Sequence, residues 1–549
     1  MSNTNISEDS PLISKDDPIL IKTYSSTSHE STTNEDNDSA SFAESKLEDG
    51  DYYESLESAD AEKHKLGVVS TTFLLLNKMI GTGIFSIPAS IYLLTGSVYG
   101  TIALWIVGGI IAFSGLNVYL EFGLKIPKSG AEKNYLERVY RYPRYLILTF
   151  FTVNSIVLGI SSSNAFAFGT YILFVLGYET PSAWAARFIA VLAITLVILL
   201  HGLLPNVGKR LFNILGGIKV FVLLGIAACG FAILSGAVNL QERPDNFSGF
   251  FGQSTITAAA TSTAPPSTPS FGGGPYNYAV ALLRVVYSYR GWENGNFVMG
   301  QIKRPERTLR IAGPVAIAIV TILYTLCNVA YFAVIPAETI RTSGAIIAGN
   351  FFRILFGDSA ASRFLPLLIA MSNIGNVLVV TYGHGWMNME FAKHHLLPYS
   401  KFFSSLKPVG APLAGLSLHW FFSVAILLIP PPGKIYDFIV DLSSYPNAII
   451  ATLVTFGLIY LKLNREAEDW PKLPFNASWV FVLIYLLANV FLVLTPLVPP
   501  AKDSMIPNSM PFYSVPLATS VVIAVAIGYW FYWFRPSNLA KIERSLQGF

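Results

Sequence analysis

Hydrophobic residues run along this chain in long stretches, and polar residues gather between the stretches rather than alternating through them. Twelve such stretches occur, at about 68–95, 98–122, 144–176, 184–203, 211–235, 276–301, 311–335, 364–389, 411–430, 435–461, 477–498 and 514–534. Each matches the roughly 20 apolar residues that an α-helix needs to cross a bilayer. The pattern predicts an all-α integral membrane protein with twelve transmembrane helices. Pro430-Pro431-Pro432-Gly433 is all that separates the ninth and tenth, which predicts a tight hairpin there.

Two stretches are interrupted near their middles. The first carries Asn77-Lys78-Met79-Ile80-Gly81-Thr82-Gly83-Ile84-Phe85, and the sixth carries Tyr287-Ser288-Tyr289-Arg290-Gly291-Trp292-Glu293-Asn294. Backbone that unwinds at membrane depth is tolerated only inside protein or beside a cavity. Glycine-interrupted spans at corresponding places in two halves of a chain point to a substrate site between them. The turn at Ile80, Gly81, Thr82 and Gly83 frees backbone N–H groups at the start of a half-helix near Ile84, a positive end that suits a carboxylate. The half-helix ending near Ser288 and Tyr289 offers carbonyls, which suit an ammonium. An anion end facing a cation end fits a zwitterion. Taken alone, Gly-Thr-Gly reads equally well as a helix-packing motif.

Composition and charge sharpen the picture. The chain is 52% hydrophobic and 13% charged, against roughly 25% charged in soluble domains. The net charge of +3 hides an asymmetry: residues 1–66 hold 16 acidic residues and five lysines, and the rest carries a balance of +14. The acidic segment has too few large apolar residues to offset its ordering entropy, so it is expected to be a disordered tail. The transporter-like region then runs over 67–535, with a short tail at 536–549. Basic residues concentrate in the loops after even-numbered stretches, as in Lys125, Lys128, Lys133, Arg138 and Arg141. The positive-inside bias puts those loops and both termini in the cytoplasm. No charged start with a cleavage site precedes the first stretch, so no signal peptide is expected.

Other residues carry narrower expectations. Asn246-Phe247-Ser248, in the long outward segment at about 236–275, is a glycosylation sequence of the common, weak kind. Cys229 and Cys327 both fall mid-span and read as packing residues. Lys219 lies within the fifth stretch, where an ionisable group either faces the bundle interior or snorkels to the surface. Arg290 and Glu293 either neutralise each other across the broken turn or let Glu293 contact an amine or carry a proton. Trp292 reads as a pocket wall or a packing residue, and Lys78 as facing a cytoplasmic vestibule. Asp437 and Asp441, one turn apart at the start of the tenth stretch, read as an outer gate or cap. No nucleophile–base–acid set and no metal-ligand spacing among His201, His384 and His419 is present in the sequence. An enzyme, a metal site, a cofactor and a nucleic-acid partner are therefore not expected.

Gly81-Thr82-Gly83-Ile84-Phe85-Ser86-Ile87-Pro88 resembles the first-helix signature of amino acid–polyamine–organocation transporters. The segment from Tyr287 to Asn294 is similar to the sixth helix of the L-type amino acid transporter branch, and Ile302 to Leu309 to the loop that follows it. With its acidic tail, the chain most resembles the fungal methionine permeases. The resemblance implies five-plus-five inverted repeats with broken first and sixth helices, and alternating access at a site built on both breaks. It implies that Tyr287 is a gating aromatic and that Lys219 replaces a sodium ion. It also implies a plasma-membrane protein whose tail lysines and serines meet ubiquitin and trafficking machinery. Arg290 and Glu293 depart from the branch's small residue and asparagine, which leaves the substrate open. Methionine, cysteine or another neutral amino acid in symport with protons is expected first, and a polyamine or choline second. A receptor that binds an amino acid and signals through its tail is the reading from another class. Mammalian relatives bind a heavy chain through a cysteine between the third and fourth spans. Gly177 to Ala183 contains none, so no disulfide-linked partner is expected.

Overall fold

The computed structural model describes residues 66–534 apart from 129, 239–243, 248–272, 300–301, 358, 408–409, 430–434, 473 and 501–509. The acidic tail, the proline-rich link between the ninth and tenth stretches and the C-terminal tail lie outside the described residues. Among the described residues the architecture is all α, with one isolated β-bridge between Leu66 and Ile302. The first span comprises α1 (Val68–Met79), α2 (Thr82–Ser86) and α3 (Pro88–Thr95), and the second is α4 (Val98–Lys125). A short loop helix, α5 (Glu132–Val139), precedes the third span, α6 (Leu146–Leu158) with α7 (Ser162–Val175). The fourth and fifth are α8 (Ala183–Leu203) and α9 (Pro205–Leu234), and the sixth is α10 (Gly274–Tyr289) with α11 (Asn294–Phe297). The seventh, α12 (Pro305–Val334), leads through α13 (Ala337–Ser343) and α14 (Ile347–Phe356) to the eighth, α15 (Ala360–Lys393). After α16 (Ser400–Phe403) come α17 (Leu413–Leu428), α18 (Ile435–Leu463), α19 (Trp479–Leu494) and α20 (Ser514–Trp533).

Among the described residues, 10 helical spans are long and apolar enough by themselves to cross a membrane. The remaining two of the expected twelve are α17, apolar but only 16 residues long, and the sixth, divided by its break. Boundaries follow local chemistry. Gly96, at φ 65°, ends α3 in the left-handed region, and Ser97 Oγ accepts the Gly100 N–H at 3.1 Å to open α4. Pro205 and Pro305 stand in the first turns of α9 and α12, where a missing N–H costs nothing. The third span is interrupted as well, between Leu158 and Ser162, which the sequence reading did not anticipate. There Ser161 N–H donates to Ser423 Oγ at 3.3 Å, and Ser161 Oγ pairs with His419 Nε2 at 2.8 Å.

The packing repeats with an offset of five spans. The first span packs on the seventh and fifth, and correspondingly the sixth packs on the second and tenth. The fourth packs on the third and eighth, and the ninth on the eighth and third. The pairs two–seven, three–eight and four–nine map onto themselves. A five-span repeat contains an odd number of crossings, so its second copy enters from the opposite face, which is the inverted arrangement. The last two spans sit at the rim: 28% of the apolar window in Trp479–Leu497 and 22% of that in Ser514–Trp533 is buried, against 78% in Leu146–Val175. Exposed Phe188, Phe221 and Phe231 on α8 and α9 extend this lipid-facing surface.

The loops after the second, eighth and tenth spans meet one another or the end of α20 through hydrogen bonds and share one face. Arg138 and Arg141 both reach Glu468 at 2.8 Å, Trp530 donates to the Arg144 carbonyl, and Tyr529 to that of Leu396. Beneath them Glu121 is fully buried, with Lys125 at 2.7 Å, Lys462 at 2.8 Å and the Ala477 N–H at 2.8 Å. This pins α4 to the link between α18 and α19. On the other face, Asn246 Nδ2 donates to the Phe332 and Ile335 carbonyls at 2.8 and 2.7 Å. The nitrogen that a glycan would occupy instead closes the end of α12.

Candidate functional site

The two interrupted spans meet at their breaks. Ile80 and Gly81 leave helical geometry, at φ −75°, ψ 101° and φ −139°, ψ −152°. A Cβ on Gly83 would lie 2.5, 2.6 and 2.8 Å from Ser288 Oγ, Cβ and Cα, so only glycine lets α2 and α10 touch. Gly291, at φ +132°, is constrained in the same way: a Cβ there would lie 2.7 Å from Met79 N and 2.8 Å from Lys78 C. The glycines thus serve as contact points between the two backbones as well as places where each unwinds.

Broken helices leave carbonyls that must find donors inside the protein. Lys219 Nζ donates to the Asn77 carbonyl at 2.9 Å and is fully buried, so it does not snorkel. The Tyr324 hydroxyl stands 2.9 Å from the Met79 carbonyl and 3.1 Å from that of Ser288, tying the two half-helix ends through α12. Tyr171 serves Phe85 at 2.6 Å and Tyr331 serves Ile84 at 3.3 Å. A carbonyl oxygen has two lone pairs, so Met79 and Ser288 each keep an acceptor for a ligand ammonium. At the opposite pole, Thr82 N–H donates to Asn164 Oδ1 at 3.2 Å, and Thr82 Oγ1 pairs with Tyr436 OH at 2.7 Å. A Cβ on Gly81 would collide with Asn376 Nδ2. Carbonyls at one pole and N–H groups with amide side chains at the other form a neutral cradle with opposed dipoles.

The expected site residues divide into groups. Ile80, Gly81, Thr82, Gly83 and Ser288 form the junction, and Tyr287 closes its flank through a 2.5 Å bond to Ser163 Oγ. Tyr289 turns away: its hydroxyl donates to the Trp105 carbonyl at 2.8 Å, and its ring packs on Trp105 and Tyr324. Trp292 lies behind the break against Tyr119 and Tyr485. Glu293 Oε2 accepts the Gly291 N–H at 2.8 Å, while Arg290 Nε stands 3.9 Å from its Oε1. Asn164, Tyr436, Asn376 and Tyr324 were missed. Two of them had a signal, because Ser161-Ser162-Ser163-Asn164 and Ser372-Asn373-Ile374-Gly375-Asn376 are polar runs inside apolar spans.

One turn before Ser288, farther from the basic face, Arg284 is buried in a carboxylate pair. Its Nε and one terminal nitrogen meet the two oxygens of Asp441 at 2.8 and 2.7 Å, and the other terminal nitrogen meets Asp437 at 3.1 Å. The aspartates expected at a gate are thus bound to the sixth span, just above the junction.

A bundle with inverted repeats and a dipolar cradle at its paired helix breaks defines a multi-span membrane permease. The chain belongs to the amino acid permease family, whose family model matches residues 66–525. It is 36% identical over 456 residues to the high-affinity methionine permease of Saccharomyces cerevisiae, covering 83% of this chain and 76% of that one. It is 32% identical over 439 residues to the low-affinity methionine permease of the same yeast, covering 78% and 76%. With the human b(0,+)-type amino acid transporter 1 it shares 26% identity over 445 residues, 79% and 82% of the two chains.

Proposed function

We propose that this protein imports neutral amino acids across the plasma membrane, methionine foremost and cysteine next, by proton-coupled, sodium-independent alternating access. The observation that carries the reading is the contact of Gly83 with Ser288, which puts N–H groups of the first span and carbonyls of the sixth in one neutral junction. A zwitterion matches both poles, whereas a polyamine or choline would leave the N–H pole unanswered. The resemblance to two yeast methionine permeases supports the choice among zwitterions. Lys219 supports sodium independence, because its ammonium already holds the α1 carbonyl end that a cation would otherwise hold. Tyr287, Tyr436 and the Arg284–Asp441 pair close the path away from the basic face. In this reading that face is cytoplasmic and both termini lie beneath it. Residues 1–66 would present lysines to ubiquitin and trafficking machinery, and 536–549 would be a short tail.

The test is uptake of labelled methionine into proteoliposomes with and without an inward proton gradient, competed by unlabelled amino acids and by spermidine. Accumulation blocked by neutral amino acids supports the reading. Competition by amines alone supports the polyamine alternative, and binding without accumulation supports a receptor. Replacing sodium by potassium is expected to leave the rate unchanged. Lys219→Met removes a buried charge-assisted hydrogen bond of about 1.5–3 kcal/mol, so uptake should fall at least about tenfold and sodium should not restore it. Wild-type uptake by Lys219→Met would exclude that role for the ammonium.

A further inference from the structure

Behind the break of the sixth span, where Trp292 points, lies a cavity of about 60 Å³, room for a few waters. Glu132 of the loop helix α5, Glu293 and Arg290 of the break, Tyr119, Tyr485 and Asn489 line it. Glu132 is only 8% exposed. Its Oε1 accepts the Tyr119 hydroxyl at 3.0 Å, and its Oε2 is buried without a hydrogen-bond partner. A carboxylate oxygen in that position is costly, whereas a carboxylic acid can donate its proton into the cavity.

The titratable and charged neighbours come from every side. Tyr119 faces Glu132 from α4, Tyr135 from its own helix, Tyr485 from α19, and Arg290 and Glu293 from the break. Lys78 of α1 faces Glu293, while Lys133 interacts with Glu137 and Glu390. The lining residues of α18, among them Ser444 and Asn447, do not titrate. Burial first, and the negative charge of Glu293 second, push the Glu132 carboxyl up to about 7.

Resting on the proton-coupled import reading above, the geometry points to Glu132 as the proton site, its unpartnered Oε2 buried at a cavity that Glu293 and Arg290 also line. Loading turns the Glu132 carboxylate into a carboxylic acid, whose O–H donates into the cavity. Release returns it to a carboxylate in the cavity that Arg290 also lines. The link to substrate is short. Glu293 holds the Gly291 N–H, and Gly291 packs on the backbone of Lys78 and Met79, one residue from Ile80. Charge lost or regained at Glu132, in the cavity that Glu293 and Arg290 also line, acts on that hydrogen bond and so on the joint between the two breaks.

The experiment uses the full chain in proteoliposomes with labelled methionine. Counterflow at equal pH reports binding and alternating access. An inward gradient of about one pH unit supports about tenfold accumulation for one coupled proton. For Glu132→Gln, counterflow is expected to persist while accumulation drops to none. Accumulation by Glu132→Gln at the wild-type level overturns the assignment. Wild-type counterflow with no gradient response removes the proton-coupled reading itself, and the assignment with it. Where Glu132→Gln lacks counterflow, Tyr119→Phe decides. Losing the donor raises the carboxyl's proton affinity, so half-maximal drive should shift to higher pH, and an unshifted profile overturns the proposal. A readout free of transport follows from the same group. Its folded value lies above its unfolded value of 4.5, so wild-type stability should fall as pH rises from about 4.5 through about 7. The melting temperature of Glu132→Gln should be flatter across that window, and equal slopes count against the proposal.

Discussion

Replacing Gly83 with alanine is expected to reduce methionine uptake at least about tenfold while the protein still reaches the membrane. Overpacking by one methyl group in a filled site costs roughly 1–3 kcal/mol. Here the added carbon meets Ser288 Oγ and Cβ and, at 2.8 Å, its Cα, so the backbone of the sixth span has to move. That movement also disturbs the hydroxyl of Tyr324, which serves Met79 and Ser288 together. The substrate would meet both half-helix ends out of register, and orientation lost at a junction is costly. Two controls separate this from general damage. Gly217→Ala places its methyl where nothing lies within 4 Å and should transport normally. Adding Ser288→Gly to Gly83→Ala removes the two side-chain contacts but leaves Cα, so rescue should be partial. Uptake by Gly83→Ala at the wild-type rate would mean that the two breaks separate more widely than this structure has them.

Much of this arrangement was legible in the sequence, because glycine interruptions recur at matching places in the first and sixth apolar stretches, although Gly-Thr-Gly alone reads equally well as packing. The paired breaks of spans one and six follow from Gly81, Gly83 and Gly291. The break in span three does not, since Gly159 sits between Leu158 and Ile160 and looks like ordinary apolar helix. Its cause is remote, in Ser423 and His419. Side-chain direction was also beyond reach. A continuous helix turns about 100° per residue, but an unwound segment has no fixed period. Tyr287 and Tyr289, still on α10, point to Ser163 and to Trp105, whereas Trp292, past the helix end, lies behind the break, a direction no helical period could give. Lys219 was open between burial and snorkelling because the apolar length on either side permits both. The Asn77 carbonyl, far away in sequence, decides it.

Arg284→Ala is expected to be the most destabilising single change among the polar residues near the junction. The guanidinium is the shared partner of Asp441 and Asp437, one turn before Ser288 on α10. A buried ion pair contributes little net stability over an apolar replacement. Removing one member, however, strands the others and costs roughly 3–5 kcal/mol. Arg284→Ala strands two carboxylates, whereas Asp441→Asn leaves Arg284 the Asp437 carboxylate. Asp437 contacts the guanidinium at 3.1 Å and is the more exposed partner, with 27% side-chain exposure against 13% for Asp441. The losses should therefore rank Arg284→Ala above Asp441→Asn above Asp437→Asn. In a Cys229→Ser background, which removes the other, half-buried thiol, Cys327, fully buried on α12, supplies a reporter, because it reacts with a maleimide dye only once the bundle opens. Dye-detected melting of the purified protein then gives the order directly. The triple variant Arg284→Leu, Asp437→Asn, Asp441→Leu should regain most of the lost melting temperature, because no charge remains stranded. If the cluster also latches spans six and ten, that variant should open outward more readily. Its half-saturating external methionine concentration should then differ from wild type at near-normal stability. Restored melting with an unchanged half-saturation would leave Arg284 a structural ion pair and no part of the gate.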